Sequence, residues 1–478
     1  MLYGRVKNTI TCVTLMFFAA LPLLWRQANA SEETLQYEPF GTLTLYHNTA
    51  HPSHVALFIS GDGGWNLGVV DMARALAAQD ALVVGFNIRH YIKKLDESKS
   101  ACVYPAADFE RLSQFVQKKL GFPKYYTPVL VGYSSGATLV YATLAQAPTG
   151  TFRGGISLGF CPDLDVSKPF CAGSGLESRP DPKGQSKGSI FLPTQHMQVP
   201  WIALQGTIDK VCDPAGTENF VKQVPHSKVI ILPKVGHGFS VQRNWMPQFI
   251  DAFKREMATD PQASNTDELN DLPLVEVAGK NTKQNVKDSQ FAIIVTGDGG
   301  WAEIDRSMAK ALADQGISVI GFNSLKYFWK KRTPEQSSKD LARIINRYTE
   351  KWQTDKVILV GYSYGADVLP FMVNGLPENT KSKVSLVTLL GPSHTANFEF
   401  HVTDWLHDAS RNDSYAVLPE ANKMTGLKLL CIYGKNEKDT LCTDINPSMG
   451  TALAVGSGHH FSGDYPYIAQ QIVKYSSK

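Results

Sequence analysis

Three short motifs occur twice in this chain, in the same order, and that duplication limits what it can fold into more than any other feature. "SGDGGWNLGVVDMARALAAQDALVVGFNIRHYIKK" from Ser60 pairs with "TGDGGWAEIDRSMAKALADQGISVIGFNSLKYFWKK" from Thr296. "YTPVLVGYSSGATLVYATLA" pairs with "TDKVILVGYSYGADVLPFMV", and "VGHGFS" (235–240) with "SGHHFS" (457–462). The separation of the copies shrinks from motif to motif, so loops have changed length between fixed points. Before each glycine-rich loop stands an apolar run, "VALFI" or "FAIIV", which reads as a buried strand; "VVDMARALAAQ" and "IDRSMAKALADQ" after it carry helical periodicity. Alternating strands and helices predict an α/β fold, each copy a mostly parallel sheet with helices on both faces. The predicted organisation is a first repeat over 31–257, a polar linker over 258–271 in a stretch that holds Pro261 and Pro273, and a second repeat over 272–478.

Residues 1–30 stand apart. Arg5 and Lys7 precede an apolar run from about Ile10 to Leu24, and "ANA" at 28–30 offers small residues for cleavage, the pattern of a secretory signal peptide. The run is short for a bilayer span and contains Pro22. The chain has 47 basic and 44 acidic residues, and the leader holds three of the basic ones and no acidic one. The mature chain is therefore neutral, and no nucleic-acid partner is expected. Six of the seven cysteines remain after cleavage, an even number suited to disulfides outside the cytosol. Cys431 and Cys442 flank one loop and form the expected pair. Cys212 occupies the place of Cys442, but Ala203 stands at the place of Cys431, which leaves Cys212 to Cys161 or Cys171; Cys102 has no evident partner. None has zinc-ligand spacing, so no metal and no other cofactor is expected.

"VLVGYSSGA" and "ILVGYSYGA" fit G-x-S-x-G between a strand and a helix, where a tight elbow exposes the serine. Ser134 and Ser363 are therefore candidate nucleophiles. A serine hydroxyl needs a base, which in this chain order arrives last: His237 and His459, the histidines that the two copies share, with His460 set aside. The acid belongs on the loop after the preceding strand. Asp209 follows Gly206 by three residues. In the second repeat Glu437 has the same spacing from Gly434 and Asp439 lies two further on; Asp439 is slightly favoured because the expected Cys431–Cys442 link fixes its position, with Asp213 and Asp444 as weaker contenders.

A serine hydrolase also needs N–H donors for the oxyanion, one after the nucleophile and one on the loop after an early strand. Ser135 and Tyr364 supply the first, and the GDGGW loops the second, through Asp62 or Gly63 and Asp298 or Gly299. Asp62 and Asp298 have an alternative role as helix caps. No lysine closes the glycine-rich loop as a nucleotide site requires. "YIKK" (91–94) and "YFWKKR" (327–332) follow the second strand of each unit. There they would lie on the active-site rim and suit an anionic headgroup, or form a solvated basic stretch. The irregular segments between nucleophile and acid take the position of lids.

"GDGGW", "YFWKKRTPEQ", "GYSYGADV" and "SGHHF" in the second repeat resemble the VirJ/AcvB family of bacterial periplasmic virulence proteins. The resemblance covers residues 291–478; the first repeat is a diverged copy with "LDES" after Lys94 and Thr138 at the place of Asp367. It implies two tandem α/β-hydrolase-like domains, a periplasmic location, and hydrolysis of the aminoacyl ester of aminoacylated phosphatidylglycerol, chiefly the lysyl form. By motif, Ser363 and His459 take the nucleophile and base roles. The implied partners are the aminoacylated phospholipid, the periplasmic face of the inner membrane and components of a secretion system. The competing reading is a non-catalytic periplasmic accessory protein of a type IV secretion system.

Overall fold

A computed structural model describes residues 1, 31–181, 188–258, 269–280, 290–401 and 414–477. The leader, most of the expected linker and parts of both lid segments lie outside these residues. The first repeat runs β1 (Ser31–Tyr37), β2 (Gly41–His47), β3 (His54–Ile59), α1 (Leu67–Ala77), β4 (Ala81–Phe86), α2 (Ile88–Asp96), α3 (Pro105–Lys119), β5 (Val129–Tyr133), α4 (Ser135–Gln146) and β6 (Gly154–Leu158). Three short strands follow, β7 (Asp163–Leu164), β8 (Ser178–Pro180) and β9 (Ser189–Phe191), then β10 (Trp201–Gly206), α5 (Pro214–Val221), β11 (Ser227–Leu232) and α6 (Met246–Ala258).

The second repeat runs β12 (Leu274–Val277), β13 (Gln290–Val295), α7 (Glu303–Asp314), β14 (Val319–Phe322), α8 (Ser324–Tyr327), α9 (Pro334–Trp352), β15 (Lys356–Tyr362), α10 (Tyr364–Asn374), α11 (Glu378–Lys381) and β16 (Val384–Leu390). Then come β17 (Thr395–Ala396), β18 (Tyr415–Ala416), α12 (Val417–Lys423), β19 (Leu429–Tyr433), β20 (Thr451–Ala454) and α13 (Tyr465–Ser476).

The two main sheets share one topology. The first has the order β1-β2-β4-β3-β5-β6-β10-β11 and the second β12-β14-β13-β15-β16-β19-β20. Pairing is parallel from β4 to β11 and from β14 to β20, with antiparallel strands added at one edge of each sheet. Along β3, Val55, Leu57 and Ile59 enter one apolar cluster and Ala56 and Phe58 the other; along β13, Phe291, Ile293 and Val295 alternate with Ala292 and Ile294. Both faces of each sheet are thus buried under helices, which is why these strands read as unbroken apolar runs.

The tryptophan of GDGGW has a packing role. A Cβ on Gly85 of β4 would fall 1.9 Å from the Trp65 ring, and one on Gly321 of β14 would fall 2.1 Å from the Trp301 ring. Each indole lies flat against a glycine of the neighbouring strand and pins the loop to the sheet, so GDGGW and the later "GFN" form one unit.

Three disulfides are present: Cys102–Cys171, Cys161–Cys212 and Cys431–Cys442. The first gives Cys102 a partner that spacing alone did not reveal. The repeats meet where Tyr125 packs with Leu325, Trp329 and Phe400. Trp329 Nε1 donates to Phe122 O (2.8 Å), Lys118 pairs with Glu399 (3.0 Å), and Arg306 donates to Thr149 O.

Candidate active site

Each candidate nucleophile sits between a central strand and the helix behind it. Ser134, between β5 and α4, has φ 56° and ψ −124°; Ser363, between β15 and α10, has φ 51° and ψ −119°. A non-glycine residue held there is strained, as a nucleophile elbow requires. The glycine two residues on lets the turn close: a Cβ on Gly136 would fall 2.4 Å from Ser60 O, and one on Gly365 2.0 Å from Val295 O. The GDGGW loops lie against the serines, since a Cβ on Gly61 would stand 2.9 Å from Ser134 Cβ and one on Gly297 3.7 Å from Ser363 Cβ.

In the first repeat the side chains form a continuous chain. Ser134 Oγ lies 2.9 Å from His237 Nε2, and His237 Nδ1 lies 2.9 Å from Asp209 Oδ2. His237 follows β11 and Asp209 follows β10. Burial alone would raise the Asp209 pKa, but N–H groups of Cys212 and Val211 (3.0 and 2.8 Å) and the His237 ring hold it below the ordinary value. The carboxylate therefore stays charged and fixes a proton on Nδ1, leaving Nε2 to accept from the serine. Cys161–Cys212 ties the acid loop to the segment after β6. Asp213 is occupied elsewhere, accepting from Gly216 N (2.8 Å) as the N-cap of α5.

The second repeat differs in its acid and in the serine contact. His459 Nδ1 is 2.5 Å from Glu437 Oε1, and Glu437 Oε2 accepts from Gly434 N at 2.7 Å. The preference for Asp439 is thereby corrected: its carboxylate points outward to His394 Nδ1 (2.9 Å), while Asp444 takes His394 Nε2 (2.9 Å). Glu437 keeps the spacing that Asp209 has from its glycine, and the longer glutamate spans the remaining gap. No hydrogen bond joins Ser363 to His459 among the described residues. The His459 side chain is 41% exposed against 16% for His237. His460 lies 3.4 Å from the Tyr362 hydroxyl.

Ser135 and Tyr364 are the first residues of α4 and α10, positions without an intrahelical acceptor for their N–H. Asp62 and Gly63 line an open cleft of ≈ 550 Å³ together with Ser134 and His237. Gly299 faces a different space, between the repeats. Neither aspartate is a helix N-cap, since Asn66 and Ala302 hold those positions. Asp367 of the second repeat is partly buried, and desolvation raises its pKa to about 7; it accepts from Ser393 N at 2.7 Å.

The basic-aromatic stretches are not where the rim reading put their rings. Tyr91 and Tyr327 are buried and donate to Asp108 (2.8 Å) and Asp340 (2.6 Å), and Trp329 is buried between the repeats. Asp209, Cys212 and His237 cluster closely enough to suggest a metal, but Cys212 is in a disulfide and the other two are bonded to each other.

A mostly parallel, helix-covered sheet with a strained serine after its central strand and an acid–histidine pair beyond the later strands defines the class of the α/β hydrolases, here twice in one chain. The "Bacterial virulence protein (VirJ)" family matches residues 53–153 and 289–478, and the chain belongs to that family. Similar solved structures include an esterase domain from a Rhodothermus marinus protein (15% identity, TM-score 0.32, 47% of this chain and 98% of that one). Another is an α/β serine hydrolase without a lid from Xanthomonas campestris (20% identity, TM-score 0.30, 48% and 94%). No curated protein matches.

Proposed function

We propose that the chain is a serine esterase with one site in each repeat, acting on the aminoacyl ester of aminoacylated phosphatidylglycerol. The observation that carries the esterase reading is the unbroken Ser134–His237–Asp209 chain of hydrogen bonds. Ser134 Oγ attacks the ester carbonyl carbon while His237 Nε2 takes its proton, and Asp209 stabilises the imidazolium. The oxyanion is held by N–H groups of Ser135 and of the Asp62–Gly63 loop. Collapse expels the lipid alcohol, which His237 protonates, and water delivered by the same base releases the amino acid and restores the serine. In the second repeat Ser363, His459 and Glu437 take the corresponding roles, with Tyr364 and Asp298 as donors; the reaction there requires His459 to close on Ser363.

The substrate rests on membership of the family and on the motifs of the second repeat. A periplasmic location is supported by the leader and by three disulfides, which need an oxidising compartment. No helix among the described residues is long and apolar enough to cross a membrane.

The test is the intact mass after fluorophosphonate treatment of the wild type, Ser134→Ala and Ser363→Ala. Two adducts are expected on the wild type and one on each variant. The doubly substituted protein is expected to release no lysine from vesicles of lysyl-phosphatidylglycerol. No adduct on the wild type turns the reading to the accessory protein of a secretion system; adducts without lysine release leave an esterase of another substrate.

A further inference from the structure

The cations of "YFWKKR" are absorbed by neither active site. Lys326, Lys330 and Arg332 line a cleft of ≈ 460 Å³ between the repeats, and Lys124 of the first repeat reaches it from the opposite wall. Lys124 and Lys330 are exposed and have no carboxylate partner among the described residues, whereas Lys118, Lys222, Lys310, Lys351 and Lys423 are all in ion pairs. Asp271, the carboxylate in the lining, makes a two-pronged contact with Arg343 (2.8 and 2.9 Å), which also meets Asp340 (2.8 Å), and it lies within the field of Arg332. Arg332 stacks on the Tyr327 ring, 4.7 Å from its centre, which fixes the guanidinium.

The cleft continues inward. A second chamber of ≈ 260 Å³ shares Lys124, Tyr125 and Lys326 with it; Phe152, Val129, Trp301 and Leu325 line it on one part, and His54, Arg153 and Asn323 on another. Its acid, Glu110, is raised to about 8 by burial and by the charge of Asp298, so it contributes little negative charge at neutral pH. Neither Ser134 nor Ser363 lines either chamber.

We propose that this inter-repeat cleft is a binding site for an amphiphilic phosphate: the phosphate meets Lys124, Lys330 and Arg332 at the mouth, and an apolar portion enters the inner chamber. Four cations from two domains line one concavity of a chain whose basic and acidic residues are nearly balanced, and Lys124 and Lys330, so placed, repel one another until an anion joins them. Arg332 and the lysines supply the charged donors that phosphate oxygens accept most strongly. The site contains neither nucleophile, although the second GDGGW loop reaches its inner chamber through Gly299 and Trp301.

The experiment uses the full mature chain and two probes: vesicles of phosphatidylcholine with and without phosphatidylglycerol, followed by co-flotation, and glycerol 3-phosphate in solution, followed by calorimetry. Lys124→Glu/Lys330→Glu is expected to lower binding of the responsive probe about tenfold or more. Lys330→Gln is expected to give a smaller loss, and Lys228→Glu, an exposed lysine on β11, none. Near-UV circular dichroism checks that the variants are folded. Response to the vesicles makes the ligand a membrane lipid; response to glycerol 3-phosphate alone makes it a soluble phosphate ester, with the site standing in either case. Binding by neither probe, an unaffected double variant, or equal loss in Lys228→Glu overturns the proposal.

Discussion

At Ser134 two hydrogen bonds of equal length join hydroxyl, imidazole and carboxylate, and the acid is held charged by backbone N–H groups before any substrate arrives. Ser363 has the same strained backbone, but its histidine is bonded to the acid alone. This geometry separates the two second-repeat carboxylates by function. In a Ser134→Ala background, Glu437→Gln is expected to slow fluorophosphonate labelling of Ser363 by about 10³–10⁴-fold, the usual consequence of losing the group that orients the base. Asp439→Asn is expected to leave the rate unchanged, and the reverse pattern would restore Asp439 as the acid. Both serines and both histidines were legible because each stands in a short motif present twice. The acid was less so: spacing from the preceding glycine pointed to Glu437, but only the fold reveals that the Asp439 side chain turns outward to His394.

The parallel strands and their helices were readable from apolar runs and helical periodicity, and each GDGGW loop from its repetition. The antiparallel edge strands β1, β2 and β12 lie ahead of the repeated blocks, so no second copy drew attention to them. Strands β7 to β9 are two or three residues long, too short for a period to register. Within α7 the fold stores a pH dependence. Asp305 is buried and its pKa is raised to about 8, burial being the main cause. A carboxyl whose pKa is raised on folding stabilises the fold fully below its unfolded value near 4 and loses that contribution as pH climbs to about 8. The second repeat is therefore expected to melt at lower temperature at pH 8.5 than at pH 5.5. Asp305→Asn is expected to shrink that difference, with about 2–4 °C for each kcal/mol removed; an unchanged pH profile of Tm would show that Asp305 does not titrate in this range.

Among the described residues the repeats are joined by an apolar contact around Trp329 and a few polar bonds. The sequence left that residue's basic-aromatic stretch as either active-site rim or solvated segment; its burial arises because the other repeat covers it, and a contact between distant segments leaves no local period. Removing the ring exposes its neighbours and costs about 3–5 kcal/mol at a buried site. Trp329→Ala is expected to split a single calorimetric transition into two, one for each repeat, whereas a single transition at the wild-type Tm would mean that the halves are coupled elsewhere. The disulfides follow the same division, none joining one repeat to the other, but inside the first repeat they interleave: Cys102 reaches past Cys161 to Cys171, and Cys161 past Cys171 to Cys212. A chain threading into an oxidising space amino end first presents Cys161 to Cys102 before the proper partner has emerged. Pairing in order of arrival would give the wrong links, so the first repeat is expected to need thiol–disulfide exchange to reach its native bridges, while the lone bridge of the second repeat has no such choice to make.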